Sequence, residues 1–319
     1  MGGNVKIGNI TADRIKITDR AILTHTLDKF FRSINDSFEQ LHKEPIWAPL
    51  LLENKSFLSG SAYHLFDFDK ILNNELSSVG DIDTQISLHH SQYIRDFLSS
   101  YSGEYKLLGF EDRGNQLISL WHLNNQNVQV DFELVEFNNG MPTEWAKFSH
   151  SSEWVDKKCG IKGVFHKYIL RAFTTKTLKD RCIQMKKSIK KITSTDLAFS
   201  VDYGIRSKYI DLHQIYDGLP VYKEIPVKES TYVNTIDEMF FLLFEKHPTL
   251  EERELFKSFK GCLQIANTHL SVDDKIKLIS GFENTLFGPG AQELYRDDKE
   301  RDSFEKQLAL STMLNDLNI

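Results

Sequence analysis

The chain has 319 residues, with 39 Lys plus Arg against 45 Asp plus Glu and a net charge of −6. A hydrophobic fraction of 40% and 22 Phe supply a full core, which excludes wholesale disorder, and the length suggests about two domains. Cys159, Cys182 and Cys262 are too few and too scattered for a disulfide framework or a cysteine zinc site, which fits a reducing cytoplasm.

The opening residues, MGGNVKIGNI, have no apolar run of the signal-peptide kind, and Lys6 breaks a myristoylation pattern. No stretch approaches the ~18 apolar residues of a membrane span. A cytoplasmic chain without a membrane partner is expected.

Residues 20–43 carry Ile22, Leu23, Leu27, Phe30, Phe31 and Ile34 at helical spacing, with Asp19 placed to cap them. Lys55 to Ser59 reads as a short strand that ends at Gly60-Ser61, and Ala62 to Phe68 opens a helix. Asp81 to Leu88 alternates as a strand, and His90 to Tyr101 fits a helix. Tyr105 to Glu111 and Gln116 to Leu123 form a hairpin across Asp112-Arg113-Gly114-Asn115. Val128 to Phe137 alternates strictly. From about residue 145 the pattern turns mainly helical: Val164 to Leu170 and onward, Asp180 to Ile192, Thr235 to Glu245, Leu250 to Ala266, Val272 to Asn284 and Ser303 to Leu317. The expected fold is α+β, with strands and helices mixed in residues 1–145 and a mainly helical domain in 146–319.

Three segments carry chemistry. Gly60-Ser61 follows a strand and precedes a helix, where free backbone N–H groups and the helix dipole favour an anion such as a triphosphate. Asp81 and Asp83 sit at i and i+2 of one strand, so their carboxylates share a face while Ile82 points to the core. Asp131 and Glu133 repeat this on the later strand, opposite Val130, Phe132 and Leu134. If the strands are neighbours, these carboxylates converge, and a hard divalent cation, Mg²⁺ or Mn²⁺, relieves their repulsion. Two such ions would serve phosphoryl transfer, and Asp131 is placed to help deprotonate an acceptor hydroxyl.

The order strand, Gly-Ser, helix, Asp-x-Asp strand and later strand Asp resembles the DNA polymerase β-type nucleotidyltransferase superfamily, over roughly residues 50 to 137. The resemblance implies a small mixed nucleotidyltransferase sheet backed by helices, followed by a helical domain that binds base and acceptor. It implies that Gly60 and Ser61 hold the triphosphate, and that Asp81, Asp83 and Asp131 are the catalytic and metal-binding carboxylates. Glu133 competes with Asp131 for the third position. The 21 positions from Gly60 to Asp81 call for an inserted turn or loop. The Gly-Gly and Arg-Asp pattern of bacterial CCA-adding enzymes is not matched.

Residues 157–191 hold ten Lys and two Arg against one acid, Asp180. Such a bias favours contact with a polyanion over a merely solvated face. Lys158, Lys162, Lys167 and Arg171 are the preferred nucleotide-binding members, and Lys186-Lys187 with Lys190-Lys191, at helical spacing, read equally as a nucleic-acid face or as a solubilising helix face. Ser149-His150-Ser151-Ser152 reads as a helix cap before a phosphate site, and His89-His90 as a solvent-facing helix start. Tyr203, Tyr209 and Tyr216 read as core or surface before base-stacking groups.

The expectation is a metal-dependent nucleotidyltransferase that moves a nucleoside monophosphate from an NTP to an acceptor hydroxyl, favoured as an RNA 3′ end. A protein side chain or a small molecule fits the same core as acceptor. The rival class is a non-catalytic nucleotide- or RNA-binding regulatory protein.

Overall fold

A computed structural model describes residues 5–16, 20–47, 57–60, 62–66, 78–151, 153–174, 193–200, 204–216, 219–225, 232–233, 235–295 and 298–319. The chain divides into two compact units, Met1–Thr143 and Glu144–Ile319.

In the first unit the alternating runs become strands β1 (Leu58–Ser59), β2 (Ile82–Ser87), β3 (Lys106–Asp112), β4 (Gln116–Leu123) and β5 (Gln126–Val135). They form one mixed sheet in the order β1-β2-β5-β4-β3. Only β2 and β5 run parallel; the other neighbours are antiparallel. The β4–β5 turn places Asn124 and Asn125 at φ 46° and 62°, a conformation Asn tolerates better than most residues.

Because strand side chains alternate, one face of the sheet is apolar and the other polar. Ile82, Ile86, Val130, Phe132, Leu134, Leu117 and Trp121 share the apolar face and are all buried. Helix α1 (Arg20–His42) covers this core with Phe30, Phe31, Ile34 and Phe38, and α2 (Ser91–Ser100) adds Ile94, Phe97 and Leu98. Arg95 of α2 grips the β3–β4 turn through Asp112 and the Gly114 carbonyl.

The second unit contains α3 (Glu144–Ser149), α4 (Trp154–Lys158), α5 (residues 163–174), α6 (Ile236–Phe244), α7 (Leu250–Leu255), α8 (Phe259–His269), α9 (Val272–Phe287) and α10 (Lys299–Asp316). Two findings correct the sequence reading here. A four-stranded antiparallel sheet, built from Thr193–Ser200, Gly204–Tyr216, Leu219–Ile225 and Tyr232–Val233, interrupts the helices. The expected helix 250–266 is two helices. The expected helix over 180–192 and the Asp19 cap lie outside the described residues.

The break between α7 and α8 has a long-range cause. Asp156, buried in the first turn of α4, accepts hydrogen bonds from the Phe259 and Lys260 backbone N–H groups at 2.7 and 2.9 Å. Ser258 caps the same turn by accepting from Gly261 N. These groups satisfy the orphan donors that start a new helix, and a continuous helix would have none to offer. Asp156→Ala removes two buried charge-assisted bonds and is expected to cost about 2–3 kcal/mol. Urea unfolding measures this; a loss below about 0.5 kcal/mol, the level of an ordinary surface substitution, would contradict it.

Candidate active site

The polar face of the first-unit sheet gathers acids. Parallel pairing sets Asp83 directly beside Asp131 and Gln85 beside Glu133, and Asp81 stands one residue before β2. One carboxylate oxygen from each of Asp81, Asp83 and Asp131 lies within 4.8 Å of the others. Asp81 and Asp131 are only 2% and 1% exposed, while Asp83 is partly exposed. Glu133 lies on the same face and accepts a hydrogen bond from the Ser59 hydroxyl at 2.8 Å. The convergence that alternation suggested is thus present, because β2 and β5 are adjacent.

Neighbouring polar groups hold this face. The Gln116 amide donates to Asp131 Oδ2 at 3.0 Å, and the Gln129 amide donates to Oδ1 and Oδ2 at 2.9 and 3.0 Å. From the apolar side, the Thr84 hydroxyl donates to the Asp131 carbonyl at 2.9 Å, locking the two strands in register.

Burial, and then the charges of Asp81, Glu133 and Asp131, push the Asp83 carboxyl well above its ordinary range. Burial, then Asp81, push Asp131 up as well, against the opposing effect of the Gln129 hydrogen bond and with a further push from Glu133. The cause is physical: a desolvated anion surrounded by anions favours its neutral form.

Gly60 adjoins the acids. It adopts φ +55°, in the left-handed region, and a Cβ there would collide with the Asp83 carboxylate. Only glycine lets the β1 turn approach this closely. Ser61 lies outside the described residues. Ala62–Phe66 is a single five-residue 3₁₀ turn instead of the expected α-helix. Gly60 therefore contributes close backbone approach more than the dipole of a long helix.

Lys158, Lys162, Lys167 and Arg171 belong to the second unit: Lys158 ends α4, Lys162 precedes α5, and Lys167 and Arg171 are one turn apart on α5. Lys162 is 3.1 Å from Glu305 and lies over the Tyr295 ring. Lys186, Lys187, Lys190, Lys191 and Tyr203 lie outside the described residues. His89 is exposed, but His90 is buried against Phe38, correcting the solvent-facing reading for that residue. Ser149 ends α3 and is buried with His150.

Sequence reasoning missed Gln116, Gln129 and Ser59, whose neutral side chains carry no recognisable spacing. Their signal was positional, since Gln129 shares the i, i+2 parity of Asp131 and Glu133. Among the described residues, no helix is long and apolar enough to cross a membrane. No family model, curated protein or solved structure matches the chain.

The raised carboxyl of Asp83 has a consequence for stability. The folded chain holds a proton that the unfolded chain has already released, so stability falls as pH climbs above the ordinary carboxylate range. Asp83→Asn is expected to raise the metal-free thermal midpoint at pH 7 by a few degrees. The gain should shrink as pH falls through that range, below which the wild-type carboxyl is neutral in both states. Thermal unfolding across the pH series measures this, and a lower midpoint for the variant at pH 7 would count against it.

Proposed function

We propose that the chain is a metal-dependent nucleotidyltransferase that transfers a nucleoside monophosphate from an NTP to an acceptor hydroxyl. The observation that carries this reading is the set of three carboxylates, Asp81, Asp83 and Asp131, whose oxygens meet within 4.8 Å on two adjacent strands. The donor set is all oxygen and anionic, which fits a hard divalent cation, Mg²⁺ or Mn²⁺, better than zinc. The elevated carboxyls of Asp83 and Asp131 agree, because such a group is costly to ionise without a compensating positive charge. When bound, the cation supplies charge neutralisation at the reacting phosphate.

In this reading Asp81, Asp83 and Asp131 hold the cation. Gly60 lets the triphosphate approach the backbone beside Asp83, and Ser61 adds a hydroxyl donor. The acceptor hydroxyl loses its proton to the Asp131 carboxylate as its oxygen bonds to the α-phosphorus, and the bond to pyrophosphate breaks. The sheet of the first unit takes the part of the small mixed nucleotidyltransferase sheet. The +11 segment 157–191 favours an RNA 3′ end as acceptor, through backbone phosphates.

The test is transfer from α-labelled NTPs, one base at a time, with Mg²⁺ or Mn²⁺, offering total RNA, cell protein or the enzyme alone. Label on RNA is expected. Asp81→Ala/Asp83→Ala should reduce it by at least about 100-fold, the scale of losing one strong electrostatic contact to the transition state. Label on protein would move the acceptor to a side chain. Label that survives the double variant would contradict the site.

A further inference from the structure

Asp131 differs from its neighbours in how it is held. Both of its oxygens accept hydrogen bonds from side-chain amides, Gln116 on β4 and Gln129 on β5. Gln129 is itself only 3% exposed. Its amide has a defined orientation, because the Val5 N–H donates to Gln129 Oε1 at 3.4 Å and so turns Nε2 toward Asp131. The segment bearing Val5 is tied to the start of β5: Asp13 N donates to the Asn127 carbonyl, and Asn127 N to the Asp13 carboxylate, both at 2.8 Å.

The choice of an amide is chemically informative. An Arg or Lys at either position would orient Asp131 equally well, but would cancel the negative charge on which cation binding depends. A hydrophobic side chain at either position would leave the buried carboxylate held by one amide alone. A neutral donor fixes the carboxylate without adding a compensating positive charge. Each carboxylate oxygen has two lone-pair sites, so the amide bonds leave acceptor capacity toward the other acids.

We infer that Gln116 and Gln129 are positioning residues that hold Asp131 oriented as a ligand for a divalent cation, and that Val5 sets Gln129 for this task. The inference rests on the cation site proposed above. It also divides labour among the acids. Asp131 is fixed in advance, and Glu133, bonded to Ser59, stands outside the ligand set.

The test is a titration of the full-length chain with Mn²⁺, free ion being followed by electron paramagnetic resonance, beside the thermal midpoint of each metal-free protein. The proteins are the wild type, Gln129→Leu, Gln129→Glu, Gln116→Leu, Ser59→Ala and Asp83→Asn. Outer partners of metal ligands typically contribute about ten- to a hundredfold in affinity, so Gln129→Leu should weaken Mn²⁺ binding by about that factor, Gln116→Leu by about threefold or more, and Ser59→Ala by less than about twofold. Gln129→Glu, similar in shape but no donor when ionised, should bind no better than Gln129→Leu. The metal-free midpoint of Gln116→Leu should stay near that of the wild type, which a merely structural role for the amide would not allow. If Gln129→Leu does not fold, the Gln116→Leu affinity decides. Binding that Asp83→Asn abolishes but both Leu variants leave unchanged overturns the inference and leaves the cation site standing. Loss in Ser59→Ala with none in the Leu variants also overturns it and makes Glu133 the third ligand. A wild type that binds no Mn²⁺ overturns the cation site and the inference together.

Discussion

Three carboxylates on one face of two adjacent strands, with Asp81 one residue before the first strand, repel one another, and the first unit has to fold despite it. Two unit charges about 4 Å apart cost ~4 kcal/mol at an effective dielectric of 20, a large share of a domain's net stability. The opposite face offsets this. Ile82, Ile86, Val130, Phe132 and Leu134 lie on the same strands as the acids and are buried against α1 and α2. The period-2 alternation that gathers the charges also generates the packing that tolerates them. Site and core are two faces of one pair of strands.

The remaining features of the site follow from that constraint. Gly60 at φ +55° gives the β1 turn room beside the Asp83 carboxylate. Gln116 and Gln129 stabilise Asp131 without neutralising it, and Ser59 does the same for Glu133. Among the donors described to these acids, neutral side chains predominate where a purely structural cluster would gain most from Arg or Lys. Proteins commonly give up stability at sites of this kind in return for function.

Much of this was legible in the sequence. The hairpin β3–β4 and the parity of Asp81, Asp83, Asp131 and Glu133 follow from alternation alone, and α1 from its apolar spacing. What alternation could not supply was adjacency, since the parallel pairing of β2 and β5 is a long-range fact. The same limit hid Asp156, which divides Leu250–His269 into two helices from about a hundred positions away. The sheet spanning residues 193–233 was obscured for another reason. In Gly204–Tyr216 the apolar Ile205 and Tyr209 alternate with Arg206 and Lys208, but Ile210 and Leu212 reverse the parity, with a bulge between Leu212 and Gln214. Gln116 and Gln129 were missed because a neutral amide announces no chemistry until its partner is known.

The central claim is the one proposed above: a divalent cation stabilises the charged forms of the raised carboxyls of Asp83 and Asp131. Proton release measures this most directly. Calorimetric titration of the protein with Mn²⁺ at pH 7, in two buffers of different ionisation enthalpy, gives the protons released per ion bound. The account predicts saturable binding with net proton release, both lost in Asp83→Asn. Binding without proton release, or no binding, would contradict it.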